Sequence, residues 1–229
     1  MPQYSKDALL LLKGMRVHTE ELGDDTQRTI IMIHGAAGST ATWFMQHRSL
    51  SESLYVVALD LNGHGRTQDR ADENLVDSYL EDIDSVASQH EKPILAGHSM
   101  GGALAQLYAL QHSDKLGGLV LVATGAKLRV ADIVFDLLDT DFEGYLGAVE
   151  EFMFHKNTSK DLVEASVVEV RKCPVPVIRR DYEMCNAFNI MDRLNEIQIP
   201  TLIIVGAQDM MTPVKYSRYL HDHIEKSKL

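Results

Sequence analysis

Cysteine is almost missing from this chain: Cys173 and Cys185 are the only two in 229 residues. They stand 12 positions apart with no Cys-x-x-Cys pair and no histidine-rich partner set. That excludes a zinc site of the usual spacing and a disulfide framework, and leaves free, buried thiols and no metal as the expectation. Long apolar runs are missing too. No window approaches the ~18 uninterrupted apolar residues of a membrane span. The opening Met1-Pro-Gln-Tyr-Ser-Lys-Asp7 is not a basic segment followed by a long apolar core, so no secretory leader is expected and the cytoplasm is the expected home. Positive charge is in deficit, with 22 Lys and Arg against 33 Asp and Glu and a net charge of −11. Without a basic stripe there is little counterion to release, which argues against nucleic acid and anionic membrane as partners. Repeats and low-complexity segments are absent. At 45% hydrophobic and 24% charged, the chain can bury one sizeable core but not two comfortable domains.

Short apolar runs alternate with helical patterns along the whole length, which predicts an α/β fold with a mainly parallel, doubly wound sheet. Leu9–Leu12 and Met15–Glu20 read as an opening hairpin turning at Lys13-Gly14. Thr29–Ile33, Leu54–Leu59 and the run before Gly97 read as the next three strands. Leu119–Thr124 is then the sixth and Pro200–Gly206 the seventh. Helices are predicted over about 41–50, 75–90, 100–112 and 213–225. Asp77, Glu81, Asp82 and Asp84 are expected on one solvated helix face rather than at a metal.

Residues 97–101 read Gly-His-Ser-Met-Gly, directly behind an apolar run and ahead of the helical Ala-Leu-Ala-Gln-Leu-Tyr-Ala-Leu. A serine on so tight a strand-to-helix turn is held in a strained conformation, and glycines two before and two after let neighbouring chain pass close by. The hydroxyl of Ser99 then projects above the sheet edge. The following helix start places the Met100 amide beside any oxyanion that forms. A second loop, His34-Gly35-Ala36-Ala37-Gly38-Ser39, ends the strand Thr29–Ile33, and its small residues let backbone approach a substrate.

Together the two motifs resemble the α/β-hydrolase family, in particular its small single-domain esterases, lactonases and carbon–carbon bond hydrolases. The resemblance implies Ser99 as nucleophile and the amides of Ala36 and Met100 as oxyanion donors. It also implies Asp209, in Gly206-Ala-Gln-Asp209, as the acid of the triad, with no cofactor required. Asp60-Leu-Asn-Gly-His-Gly-Arg-Thr67 is similar to the family's Asp-x-x-Gly-x-Gly-x-Ser loop, in which His64 is expected to order the turn rather than move a proton. The triad histidine should follow an eighth strand about 25 to 30 residues beyond the acid. Only 20 residues follow Asp209, and His221 and His223 sit among Asp222, Glu225 and Lys226 on a polar helix. The expectation is therefore a chain that ends before strand eight, the triad histidine and the closing helix, with Ser227-Lys-Leu229 resembling only the start of the missing strand. A terminal Ser-Lys-Leu is also a peroxisomal address.

Residues 127–198, between the sixth and seventh strands, are expected to form a helical cap over a core of residues 1–126 and 199–229. Phe135, Leu138, Phe142, Tyr145, Leu146, Val149, Phe152, Met153 and Phe154 make an apolar stripe at helical spacing. Part of it, notably Phe135 and Phe152, is expected to join Gly35, Trp43, His98 and Met210 around the pocket. The substrate expected is a small-molecule ester with an apolar group, cleaved through an acyl-enzyme. Carbon–carbon bond hydrolysis or enol-lactone opening of a ring-cleavage product is the alternative within enzymes; relatives of that kind often place a basic residue in the cap to hold a carboxylate, and Arg171, Lys172, Arg179 and Arg180 are the candidates. A non-catalytic protein binding a ligand or partner is the reading from outside enzymology. An uncovered edge on Thr201–Val205 predicts a homodimer along that strand or an aggregation-prone monomer.

Overall fold

A computed structural model of the chain describes residues 17–70 and 74–229. The expected first hairpin strand, Leu9–Leu12, and its turn lie outside them. The described residues form one sheet of seven strands in the order β1-β3-β2-β4-β5-β6-β7. These are β1 (Thr19–Leu22), β2 (Thr29–Ile33), β3 (Tyr55–Leu59), β4 (Ile94–His98), β5 (Gly118–Val122), β6 (Thr201–Ile204) and β7 (Ser227–Lys228). Only β1 runs antiparallel, pairing Thr19 with Leu59 and Leu22 with Val56. All five residues of β2 are buried because helices cover both faces of the sheet, which is why a parallel strand reads as an unbroken apolar run.

Four helices flank the sheet: α1 (Phe44–Leu50), entered through a 3-10 turn at Thr40–Trp43, then α2 (Leu75–Ala87), α3 (Met100–His112) and, after β6, α8 (Val214–His223). Asn74 caps α2, its side chain accepting from the Asp77 amide. The largest core cluster packs Tyr79, Ile83 and Val86 of α2, Leu104 and Tyr108 of α3 and Leu220 of α8 against Ile31, Val57, Leu95 and Leu121 of the sheet. One expectation fails here. Asp82 is not on the solvated face with Asp77 and Glu81: it is fully buried, paired with Arg70 at 2.6 Å and accepting from the Asn62 amide at 2.7 Å.

Between β5 and β6 the chain forms four helices, α4 (Asp132–Thr140), α5 (Phe142–Phe152), α6 (Lys160–Lys172) and α7 (Val175–Ala187), followed by a 3-10 turn at Met191–Glu196. The two ends of this excursion meet, since the Ile190 amide donates to the Ala126 carbonyl at 2.8 Å and Lys127 bridges to Asn189. The helices close on an apolar cluster of their own, with Leu138, Tyr145, Leu146, Val149, Val177, Ile178 and Tyr182 buried. Ala37 is the buried residue by which that cluster reaches the β2 loop. Phe135, Phe142 and Phe154 pack at its border, whereas Phe152 and Met153 remain 48% and 42% exposed.

At the far edge, Ser227–Lys228 lies parallel to Thr201–Leu202, in the place where the sequence began an eighth strand. Counting from the hairpin, β5, β6 and β7 are the sixth, seventh and eighth, so the last strand is present as two residues rather than wholly absent. Leu202, Ile204 and Leu229 are about half exposed along this edge. Among the described residues no helix is long and apolar enough to cross a membrane.

Candidate active site

Ser99 sits at φ +51°, ψ −116°, between β4 and α3, in a region that side chains other than glycine rarely adopt. Its neighbours leave it little choice. The Ser99 amide donates to the Val122 carbonyl at 3.0 Å, its carbonyl accepts from the Thr124 hydroxyl at 2.8 Å, and the Gly102 amide closes the turn at 3.0 Å. A methyl group at Gly97 would overlap the Gly101 carbonyl, and one at Gly101 would overlap the carbonyl oxygens of Ile33 and His34. The serine therefore opens α3 as its N-terminal neighbour, with its side chain free of any capping bond and the Met100 amide next in line.

The β2 loop lies against this turn: a Cβ on Gly35 would stand 3.3 Å from the Ser99 Cβ and 3.0 Å from His98 Nδ1. Two motifs more than sixty residues apart in sequence thus share one end of the sheet, where β2 and β4 are neighbours. The loop is built from hydrogen bonds. The Gly38 amide donates to the Gly35 carbonyl at 3.0 Å, the Thr40 amide to Asp60 Oδ1 at 2.7 Å, and the Ala37 amide to Asp181 Oδ2 at 3.0 Å. Asp181, from helix α7 of the excursion between β5 and β6, also meets His64 Nε2 at 2.8 Å and the Tyr79 hydroxyl at 2.5 Å, with both ion-pair side chains wholly buried. Burial alone would lower the His64 pKa, but the carboxylate outweighs it and lifts the imidazolium to about 10. His64 is thus tied into its own Asp60–Thr67 turn, where Nδ1 lies 3.1 Å from the Asn62 carbonyl, and to Asp181, a partner that its sequence context does not reveal.

Asp209 lies in the loop after β6. Its Oδ1 accepts from the Met211 and Thr212 amides at 2.9 and 2.8 Å, and its Oδ2 from the Thr212 hydroxyl at 2.9 Å. Its charge is felt at His98, whose pKa is nonetheless lowered because burial dominates. His98 Nδ1 and Trp43 Nε1 are buried without a hydrogen-bond partner among the described residues, and the two rings meet edge to face at 6.4 Å. All ten histidines fall within the described residues. Among those residues no hydrogen bond joins a histidine to Ser99 or Asp209. His221 Nδ1 is 2.8 Å from the Ser227 hydroxyl of β7 and His223 Nδ1 2.8 Å from the Tyr219 carbonyl of its own helix, so both are held at the far edge of the sheet.

Of the other candidates, Trp43 is buried in a core cluster with Ile30, Met32 and Ala96, whereas Phe44, Met210 and Met211 are exposed. Phe135 stands edge to face with Tyr182 and under the Arg179 guanidinium. Each of the four cations that the sequence offered for a substrate carboxylate already has an acidic partner: Arg171 holds Glu143, Lys172 holds Glu169, Arg179 holds Asp139 and Glu183, and Arg180 holds Asp69.

The comparisons with known proteins agree with this architecture. A putative carbamate hydrolase, RutD, of Rhizobium rhizogenes is 27% identical over 217 residues, covering 88% of this chain and 82% of its own. A pimeloyl-(acyl-carrier protein) methyl ester esterase of Neisseria meningitidis is 24% identical over 90% of this chain and 84% of its own. The structure of an esterase from Exiguobacterium antarcticum superposes with a TM-score of 0.87 at 22% identity, covering 95% of this chain and 87% of that one, a likeness of fold. The family model for serine aminopeptidase, S33, matches residues 24–229, and the chain belongs to that family of α/β-hydrolases.

Proposed function

We propose that the site cleaves carboxylic esters of small molecules with an apolar acyl or alcohol group through an acyl-enzyme on Ser99. The observation that carries the reading is the Ser99 turn, with its positive φ, the start of α3 beneath it and the Gly35 loop against it. Ser99 Oγ would bond to the carbonyl carbon and give up its proton to a base. The carbonyl electron pair would move onto the oxygen between the Ala36 and Met100 amides. Collapse would expel the alkoxide, which takes up that proton, and water would then repeat the sequence to release the acid. Asp209 would orient and charge-balance a histidine as the base. The paired state of Arg171, Lys172, Arg179 and Arg180 weighs against any of these four as the handle for a substrate carboxylate in carbon–carbon or enol-lactone chemistry.

That no histidine is bonded to Ser99 or Asp209 among the described residues favours a second reading, a protein that binds such ligands without turning them over. One experiment separates the two. Acylation by an activated ester is easier than deacylation by water, so a serine without its base should accumulate the acyl group. After exposure to p-nitrophenyl acetate, peptide mapping should find acetyl on Ser99, and the Ser99→Ala chain should lack it. Acetylation confined to lysines in both chains would leave the binding reading standing.

We also propose that a second copy of the chain pairs along β6, where Ile203 and Ile204 have no β7 partner and the Leu202–Ile204 face is half exposed. Light scattering should show concentration-dependent association that Ile204→Lys abolishes. Equal monodispersity of the parent and the variant at all concentrations would count against it.

A further inference from the structure

We infer that Asp181 is a positioning residue for the oxyanion hole, reaching from the cap to fix the direction of the Ala36 amide. The amide of Ala36 shares a planar trans peptide with the carbonyl of Gly35, so holding that carbonyl aims the N–H the opposite way. His34 holds it. The Leu61 amide donates to His34 Nε2 at 3.1 Å, which places the ring proton on Nδ1, and Nδ1 donates to the Gly35 carbonyl at 2.8 Å. The next peptide, between Ala36 and Ala37, is held by Asp181 through the Ala37 N–H, and Ala37 is kept at φ +58°. With the planes on both sides of its Cα clamped, Ala36 has no soft dihedral left.

The carboxylate also keeps His64 an imidazolium. Burial first, and then that neighbouring cation, ring to ring at 4.7 Å, hold His34 neutral with its pKa down at about 3, against the opposite pull of the Asp181 charge. A protonated His34 could not accept from Leu61. Because Asp181 belongs to α7, and Arg180 beside it donates to the Asn62 carbonyl at 3.1 Å, the hole is complete only while the cap helix is seated.

The kinetic half of the test rests on the Ser99 reading proposed above; the exchange half does not. Asp181→Asn should lower the rate constant for Ser99 acetylation at saturating p-nitrophenyl acetate by about 30-fold, less than the roughly 10²–10³-fold of losing an oxyanion donor outright because the Ala36 amide is misaimed rather than removed, with the half-saturating concentration unchanged. The Ala37 amide should exchange its hydrogen about tenfold faster or more. Val86→Ala, a buried truncation on the far part of α2, should lower stability and change neither. If Asp181→Asn does not fold, Asp181→Leu combined with His64→Leu removes both charges together and must give the same two losses. A folded variant that acetylates at the parent rate, or a Val86→Ala chain that loses as much, overturns the inference. If the parent is not acetylated on Ser99, the ester reading falls, and unchanged Ala37 protection in Asp181→Asn overturns the positioning role by itself.

Discussion

At pH 8 this 229-residue chain should release p-nitrophenol from p-nitrophenyl acetate about 10⁴-fold more slowly than an enzyme of the same fold whose serine, histidine and acid are assembled. Both halves of the reaction move a proton, off Ser99 in the first and off water in the second, and no histidine lies in hydrogen-bond contact with either Ser99 or Asp209 among the described residues. The residual rate would come from the Ala36 and Met100 amides, which need no base. The carboxylate proposed as the acid has room for a histidine: Asp209 Oδ1 takes two amides, and Oδ2 takes the Thr212 hydroxyl with a lone pair to spare. Without a base, the rate should climb about tenfold per pH unit with hydroxide instead of levelling above neutrality as a histidine loses its proton. Adding imidazole should raise the Ser99-dependent part of the rate. A full-rate reaction abolished by His221→Ala or His223→Ala would show that one of these helix histidines swings to the serine.

How far this was legible depends on the range of the interactions concerned. The strands and α3 follow from local pattern: Thr29–Ile33 and Met100–His112 have the bounds that periodicity and turn residues predict. The meeting of Gly35 with Ser99 follows from topology, since loops at the same ends of adjacent parallel strands share a rim. What escaped were acids that fold inward. Asp82 was grouped with charged neighbours in sequence, yet Tyr79, Asp82, Ile83 and Val86 recur at spacings of three and four and all are buried. Asp181 stands on the same kind of stripe, with Val177, Ile178 and Cys185. An acid inside an apolar stripe is the legible signal of a buried ion pair, because an unpaired carboxylate could not stay there. Its partner is not legible. Arg70 lies 12 residues from Asp82 and His64 lies 117 from Asp181, and only the folded chain brings either pair together.

The close packing that makes the Ser99 turn also makes it unforgiving, and Gly101→Ala should reveal this as loss of the folded state. The added methyl would overlap two backbone carbonyl oxygens, of Ile33 and His34. Neither can move without breaking the pairing of β2 with β4 and the loop that carries Ala36. Overlap with a flexible side chain relaxes by a rotamer change; overlap with two carbonyls at a strand end does not, so the cost should exceed about 4 kcal/mol. Against a total stability of about 5–15 kcal/mol for a domain, that is enough to populate unfolded chain and to send most of the protein to the insoluble fraction. Gly147 is the matched control, for a methyl there meets nothing within 4 Å on the exposed face of α5. Gly147→Ala should therefore stabilise by about 0.5–1 kcal/mol, through helix propensity and a less flexible unfolded chain. Urea melts of the parent and both variants read the difference directly. A Gly101→Ala chain with the parent's midpoint would mean that Ile33 and His34 can yield, and that the serine turn is held by something other than this close approach.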